Sequence, residues 1–201
     1  MSDYFTVFGL PRKLGVDAEA LQRRFYDLSR QHHPDFHQGA GADRQAEVLG
    51  RSALVNRAYR ALREPLARVD YLIALEEGRE VREGATDKPK APRELLEEMM
   101  EVQESLEEAK AAPGKNLGGE AGARLRDERG RLQERYAAEA TAVIARFPEW
   151  DQLVDEDRDR RPLLEWFKQR LATRAYLRTV IDDLSDALGE REDQHVSHRR
   201  H

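Results

Sequence analysis

The sequence predicts an all-α protein of two helical parts, and three observations carry that expectation. Aromatic residues make up only 7% of the 201 residues against 39% hydrophobic, so the core must come from Leu, Ala, Val and Ile. The apolar residues recur at intervals of three and four, the helical period, rather than alternating as in strands. Clusters of Gly and Pro separate the periodic runs. Composition also excludes whole classes of chemistry. Without Cys there is no disulfide, thiolate nucleophile or Cys-ligated cluster site. A net charge of -5 argues against a nucleic-acid binder, which needs clustered positive charge. Residues 1–80 balance at 12 basic and 12 acidic residues, which leaves the acidic excess in residues 81–201. No apolar run approaches the roughly 20 residues that span a bilayer, and Met1 to Pro11 does not read as a signal peptide, so a soluble, cytoplasmic, non-membrane protein is expected.

The elements follow in order. Tyr4, Phe5, Val7, Phe8 and Leu10 form a short apolar segment. Asp17 is a plausible N-cap for a helix whose Leu21, Phe25 and Leu28 share one face. Pro34 disfavours helical geometry at His33, so the helix should stop there and continue as an extended turn. A polar connection from Phe36 to Asp43 leads to a second stripe, Val48, Ser52, Val55, Tyr59 and Leu62. The two stripes can be buried only against each other, which predicts a helical hairpin. Leu66, Val69, Leu72 and Ile73 suggest another helix after Pro65. Residues 81–92 carry Gly84, Pro89 and Pro92 among charges and read as a linker between a domain at 1–80 and a second at 93–190, with 191–201 a charged tail. In the second domain, Glu94 to Lys110, Ala121 to Phe147 and Arg161 to Leu188 each read as a helix, together a three-helix bundle. Leu125, Leu132, Tyr136, Val143 and Phe147 form a seam on the middle helix, and Leu177, Ile181, Leu184 and Leu188 on the last. A break is expected at Phe147 and Pro148, running on through the charges at Asp155 to Arg161.

The densest polar group is Gln31-His32-His33-Pro34-Asp35-Phe36-His37. Its imidazoles and carboxylate invite a metal site, and hence a small metal-dependent enzyme using the His32 to His37 cluster. Only one carboxylate is near, however, and the other His residues, His195, His198 and His201, lie at the far C-terminus. An acid–base pair of His33 and Asp35 lacks a nucleophile or phosphate loop to serve. The remaining reading is a loop presented to a partner. A Tyr-initiated segment, an amphipathic helix, His33-Pro34-Asp35 in the following turn and a second helix containing Asn56-Arg57-Ala58-Tyr59-Arg60-Ala61-Leu62 resemble a J-domain. Asp3 to Pro11 and Pro65-Leu66-Ala67-Arg68-Val69-Asp70-Tyr71-Leu72 extend the resemblance to the HscB family of iron–sulphur-assembly co-chaperones, which joins an N-terminal J-domain to a C-terminal three-helix bundle.

That resemblance implies a non-enzymatic co-chaperone without a cofactor. It would bind the cluster scaffold IscU, deliver it to the DnaK-type chaperone HscA and stimulate the ATPase of that chaperone. A J-domain adaptor for a different client is the alternative within the same class. His33, Pro34 and Asp35 would recognise the chaperone, with Arg23, Arg24 and Arg30 on one flank of the preceding helix for electrostatic docking. The helix from Glu94 has a geometry of its own. Leu95, Met99, Val102 and Leu106 form its core stripe, while Leu96 and Met100 lie roughly 110° away on a helical wheel. From Glu94 to Glu108 there are seven Glu and no Lys or Arg, so the helix offers an apolar ledge bordered by acid. The family implies scaffold binding there, at Leu96, Met100, Glu101, Glu104 and Glu108, completed by an aromatic whose best match is Tyr176. The segment Pro148 to Arg161 looks like an insertion relative to that family.

Overall fold

The computed structural model describes residues 3–37, 39, 41–79, 95, 100, 102–107 and 119–190, those at 37 and 121 without their side chains. Every regular element among them is helical: α1 (Tyr4–Val7), α2 (Ala18–Gln31), α3 (Ala42–Arg63), α4 (Pro65–Glu76), α5 (Glu120–Ala145), α6 (Phe147–Asp155) and α7 (Arg161–Leu188), with a 3-10 turn at Pro34–His37 and a helical stretch at 102–107. No helix of the described residues is long and apolar enough to cross a membrane. Contacts divide the chain into two compact units, one of Met1–Ala85 with Ala142–Lys168, the other of Thr86–Thr141 with Gln169–His201.

In the first unit α3 is the hub, and α1, α2, α4 and the 3-10 turn all pack against it. The predicted stripes are the ones that go inside: Leu21 on α2, Val48, Val55 and Leu62 on α3, and Val69, Leu72 and Ile73 on α4 are buried, with Phe5 and Phe8 beneath them. Phe25 and Tyr59 stack at 4.1 Å between ring centres, joining α2 to α3. Asp17 caps α2 as expected, accepting from the amides of Glu19 and Ala20. Gly78 (φ +65°) closes α4 and Gly189 (φ +68°) closes α7, where only a residue without Cβ adopts the left-handed turn cheaply.

Three sequence expectations need correction here. The helix α2 stops at Gln31, and Pro34 opens a 3-10 turn rather than an extended one, because its fixed φ suits the first position of a helical turn. The break expected at Phe147 and Pro148 is a helix start. Arg146 interrupts α5, Pro148 lies in the first turn of α6, and Trp150 is fully buried. The stretch read as an insertion therefore begins with an ordered helix. Finally, Val143 and Phe147 do not continue the bundle seam, since they fall in the first unit.

The second unit is built on a leucine-rich seam. Leu95, Val102 and Leu106 pack with Leu125 and Leu132 of α5 and with Leu177, Val180, Leu184 and Leu188 of α7. Tyr136, Tyr176 and Ile181 cover its edge. The Arg174 guanidinium lies 3.6 Å from the centre of the Tyr136 ring, and Arg126 and Arg129 hold Glu190 at 2.8 and 2.7 Å.

Candidate functional site: an exposed turn and an acidic helix face

The turn after α2 is built by backbone hydrogen bonds that leave its side chains outside. The His32 amide donates to the Leu28 carbonyl at 3.0 Å and ends the helix, and the Phe36 amide donates to the His33 carbonyl at 3.1 Å. The Asp35 amide donates to His33 Nδ1 at 3.2 Å. The Asp35 carboxylate stands 3.5 Å from Nδ1, and the His33 and Asp35 side chains are 52% and 71% exposed. Pro34 is half-buried against this turn. One exposed residue was not singled out from the sequence. Phe36 is 70% exposed and meets His33 edge-on at 5.9 Å, and its place beside the histidine in a polar turn was the available signal.

The three arginines assigned to α2 fare differently. Arg23 is exposed and 3.5 Å from Glu19, and Arg30 is exposed in the last turn. Arg24 turns back to α1, donating to the carbonyls of Phe8 and Gly9, so part of its hydrogen-bonding capacity is spent inside the unit. His37 Nδ1 and Nε2, like the tail residues His195, His198 and His201, lie outside the described residues. Among the described residues no three His, Asp or Glu side chains gather closely enough to hold a metal ion.

On the acidic helix, Leu95, Val102 and Leu106 point into the core with at most 5% exposure, whereas Met100 is 71% exposed. Glu104 is exposed, and Leu96, Glu101 and Glu108 lie outside the described residues, as do Met99 and Glu97. Tyr176 is half-buried against the same leucine cluster.

No family model matches the sequence. Solved structures do. The chaperone HscB from Vibrio cholerae is 23% identical with a TM-score of 0.52, the match covering 91% of this chain and 99% of that one. The human co-chaperone protein HscB is 25% identical with a TM-score of 0.59, covering 92% of this chain and 81% of that one. The fold is that of the HscB co-chaperones.

Within this HscB fold, the residues that sequence periodicity missed are polar pins. Arg68 occupies a core-facing position of α4 and is 4% exposed. Its Nε donates to the Leu62 carbonyl at 2.7 Å, and its other nitrogens reach the carbonyls of Leu14 and Arg63. Burial pulls the Arg68 guanidinium below its ordinary value, opposed by Asp151 and Glu64. Asp151 on α6 accepts the amides of Leu14 and Gly15 at 2.7 and 2.9 Å, and Trp150 Nε1 donates to the Arg12 carbonyl at 3.1 Å. The Tyr71 hydroxyl accepts the Tyr4 amide at 2.8 Å, and burial pushes its pKa up to about 12. The signals were present in outline: an arginine on an apolar stripe, and Phe147, Trp150 and Val154 at helical spacing.

Proposed function

We propose that the protein is a co-chaperone of iron–sulphur cluster assembly. Residues 1–80 act as the J-domain, residues 93–190 as the scaffold-binding part, its bundle seam lying outside Ala142–Lys168, which pack into the first unit, and 81–92 as the linker between them. The bundle binds the scaffold IscU, the J-domain docks on the DnaK-type chaperone HscA, and docking accelerates ATP hydrolysis and promotes cluster transfer. The observation that carries this reading is the His33-Pro34-Asp35 turn, placed between α2 and α3 with its imidazole and carboxylate in solvent. Backbone hydrogen bonds fix the turn, so little conformational entropy is lost when a partner takes hold of it.

The chemistry of that turn is recognition. An imidazole donor and a carboxylate acceptor offer complementary hydrogen bonds to a chaperone surface, and Arg23 and Arg30 add positive charge along α2 that steers the encounter. The cluster itself remains cargo of the scaffold, because this chain has no thiolate to ligate it. At the other surface, Met100 and Glu104 are exposed, and the sequence positions Leu96, Glu101, Glu108 and Tyr176 are proposed to join them as an apolar anchor rimmed by acid for a basic partner patch. The setting proposed for this activity is the cytoplasm.

Calorimetry with IscU from the same organism tests the assignment. Leu96→Ala/Met100→Ala is expected to weaken scaffold binding by about tenfold or more, about 1.4 kcal/mol, while ATPase stimulation without scaffold stays at wild-type level. Tyr176→Ala should deepen the loss. A folded double variant that binds IscU with wild-type affinity overturns the scaffold surface.

A further inference from the structure

The structure holds a second candidate surface that neither the turn nor the acidic helix uses. A groove of about 550 Å³ lies along α3 where it meets α2, lined by Phe25, Asn56, Arg57, Tyr59, Arg60 and Arg63, with Ala53 completing it. No carboxylate lines it. The charge pattern of α3 explains why. Beyond Glu47 the helix carries Arg51, Arg57, Arg60 and Arg63 and no acidic residue before Glu64. Arg51 is already paired with Glu47 at 3.0 Å, and among the described residues Arg63 has only the adjacent Glu64 at 3.4 Å and the Tyr59 ring at 5.9 Å. Arg57 is exposed and has no hydrogen-bond or ion-pair partner among the described residues.

We propose that this groove binds an acidic peptide segment of a protein partner. Two kinds of contact are built into it. The stacked Phe25 and Tyr59 rings, both half-buried, give an apolar wall of aromatic carbon for a side chain of the segment. The exposed guanidinium groups of Arg57 and Arg63 offer forked donors that match carboxylates in pairs. Asn56 donates its amide nitrogen to the Ser52 carbonyl at 3.0 Å, which leaves its side-chain oxygen to accept a peptide N–H. A peptide fits this arrangement better than a nucleic acid. The groove pairs its cations with a single aromatic stack rather than a run of stacking platforms, and the chain as a whole is acidic at -5, which repels an extended polyanion. The proposal does not depend on the co-chaperone reading, because the groove and its charge are properties of α2 and α3 alone.

Fluorescence anisotropy on the full chain tests it, with a labelled short peptide of alternating glutamate and leucine as the probe. A peptide of alternating lysine and leucine and a short single-stranded oligothymidylate serve as comparators. The acidic peptide is expected to bind saturably and the lysine peptide not at all. Arg57→Glu/Arg60→Glu/Arg63→Glu should weaken binding by about tenfold or more, and His33→Ala/Asp35→Ala should leave it unchanged. Should the charge-reversal variant fail to fold by circular dichroism, Arg57→Gln/Arg63→Gln decides the matter, with a loss of roughly threefold or more expected. Full retention of binding in a folded variant overturns the proposal. So does oligothymidylate binding as tight as that of the acidic peptide, which would reduce the groove to a general attraction for polyanions.

Discussion

The two units of this molecule are held together in different ways. The second is packed by a seam of Leu and Val, with aromatic rings only at its edge. The first combines a buried apolar core with directional hydrogen bonds from Arg68, Tyr71, Trp150 and Asp151 to backbone groups of residues 4–15 and 62–63. A leucine seam tolerates small slips, since dispersion and burial have no preferred direction. Hydrogen bonds to fixed carbonyls do not. The unit that carries the exposed His33-Pro34-Asp35 turn is thus the one whose backbone groups are pinned by buried side chains, whereas the polar contacts of the other, such as Arg170 on the buried Glu139 at 3.2 Å, join side chain to side chain around the leucine seam.

Truncation of the largest buried side chain should separate the two most strongly. Trp150→Ala removes a fully buried indole and its hydrogen bond to Arg12, and is expected to cost roughly 3–5 kcal/mol. Hydrogen exchange should show the loss as faster exchange in α1 to α4, with the amides of 125–140 protected as before. Leu132→Ala in the seam should cost about 2–5 kcal/mol and give the opposite map. Equal loosening of both units by either variant would break the distinction.

A smaller effect isolates direction from burial. Tyr71→Phe keeps the ring, its 4.3 Å stack on Tyr4 and the packing, but leaves the buried Tyr4 amide without its acceptor. A loss of about 1–3 kcal/mol is expected by urea denaturation, and a neutral result would show that the polar contact adds nothing beyond the apolar core. The smallest effect is at the surface. Lys168 and then Arg79 hold the Glu77 carboxyl below the ordinary carboxylate range. A depressed pKa contributes stability above the unfolded value, about 4.3, and that contribution fades as pH falls through the lower folded value. The pair lies at the surface with both side chains partly exposed, so screening by solvent leaves at most about 1 kcal/mol at stake. Glu77→Gln should remove this part of the acid dependence, which thermal melts from neutral to acid pH would register.

How much was legible in the sequence follows the same division. Periodicity marks apolar faces, so the stripes of α2, α3 and α4, the seam of the second unit apart from Val143 and Phe147, and the outward position of Met100 could be read directly. The cap at Asp17 was equally local. Features that depend on distant partners were not legible. Asp151 and Trp150 reach residues more than a hundred positions earlier, and no spacing rule links Leu14 to Asp151. Pro148 misled because the same ring that interrupts a helix interior favours its first turn. At the site, the motif showed the turn, but the engagement of Arg24 with α1 and the exposure of Phe36 depend on the fold.

The central claim is that the turn after α2 acts on a DnaK-type chaperone. Its most direct test is the rate of ATP hydrolysis by that chaperone from the same organism, measured with the wild-type chain and with His33→Ala/Pro34→Ala/Asp35→Ala. Both side chains flanking Pro34 are more than half exposed and the core is untouched, so the variant should keep its helical circular dichroism. The account predicts clear stimulation by the wild type and none by the variant. Stimulation by the folded variant at the wild-type level would contradict it.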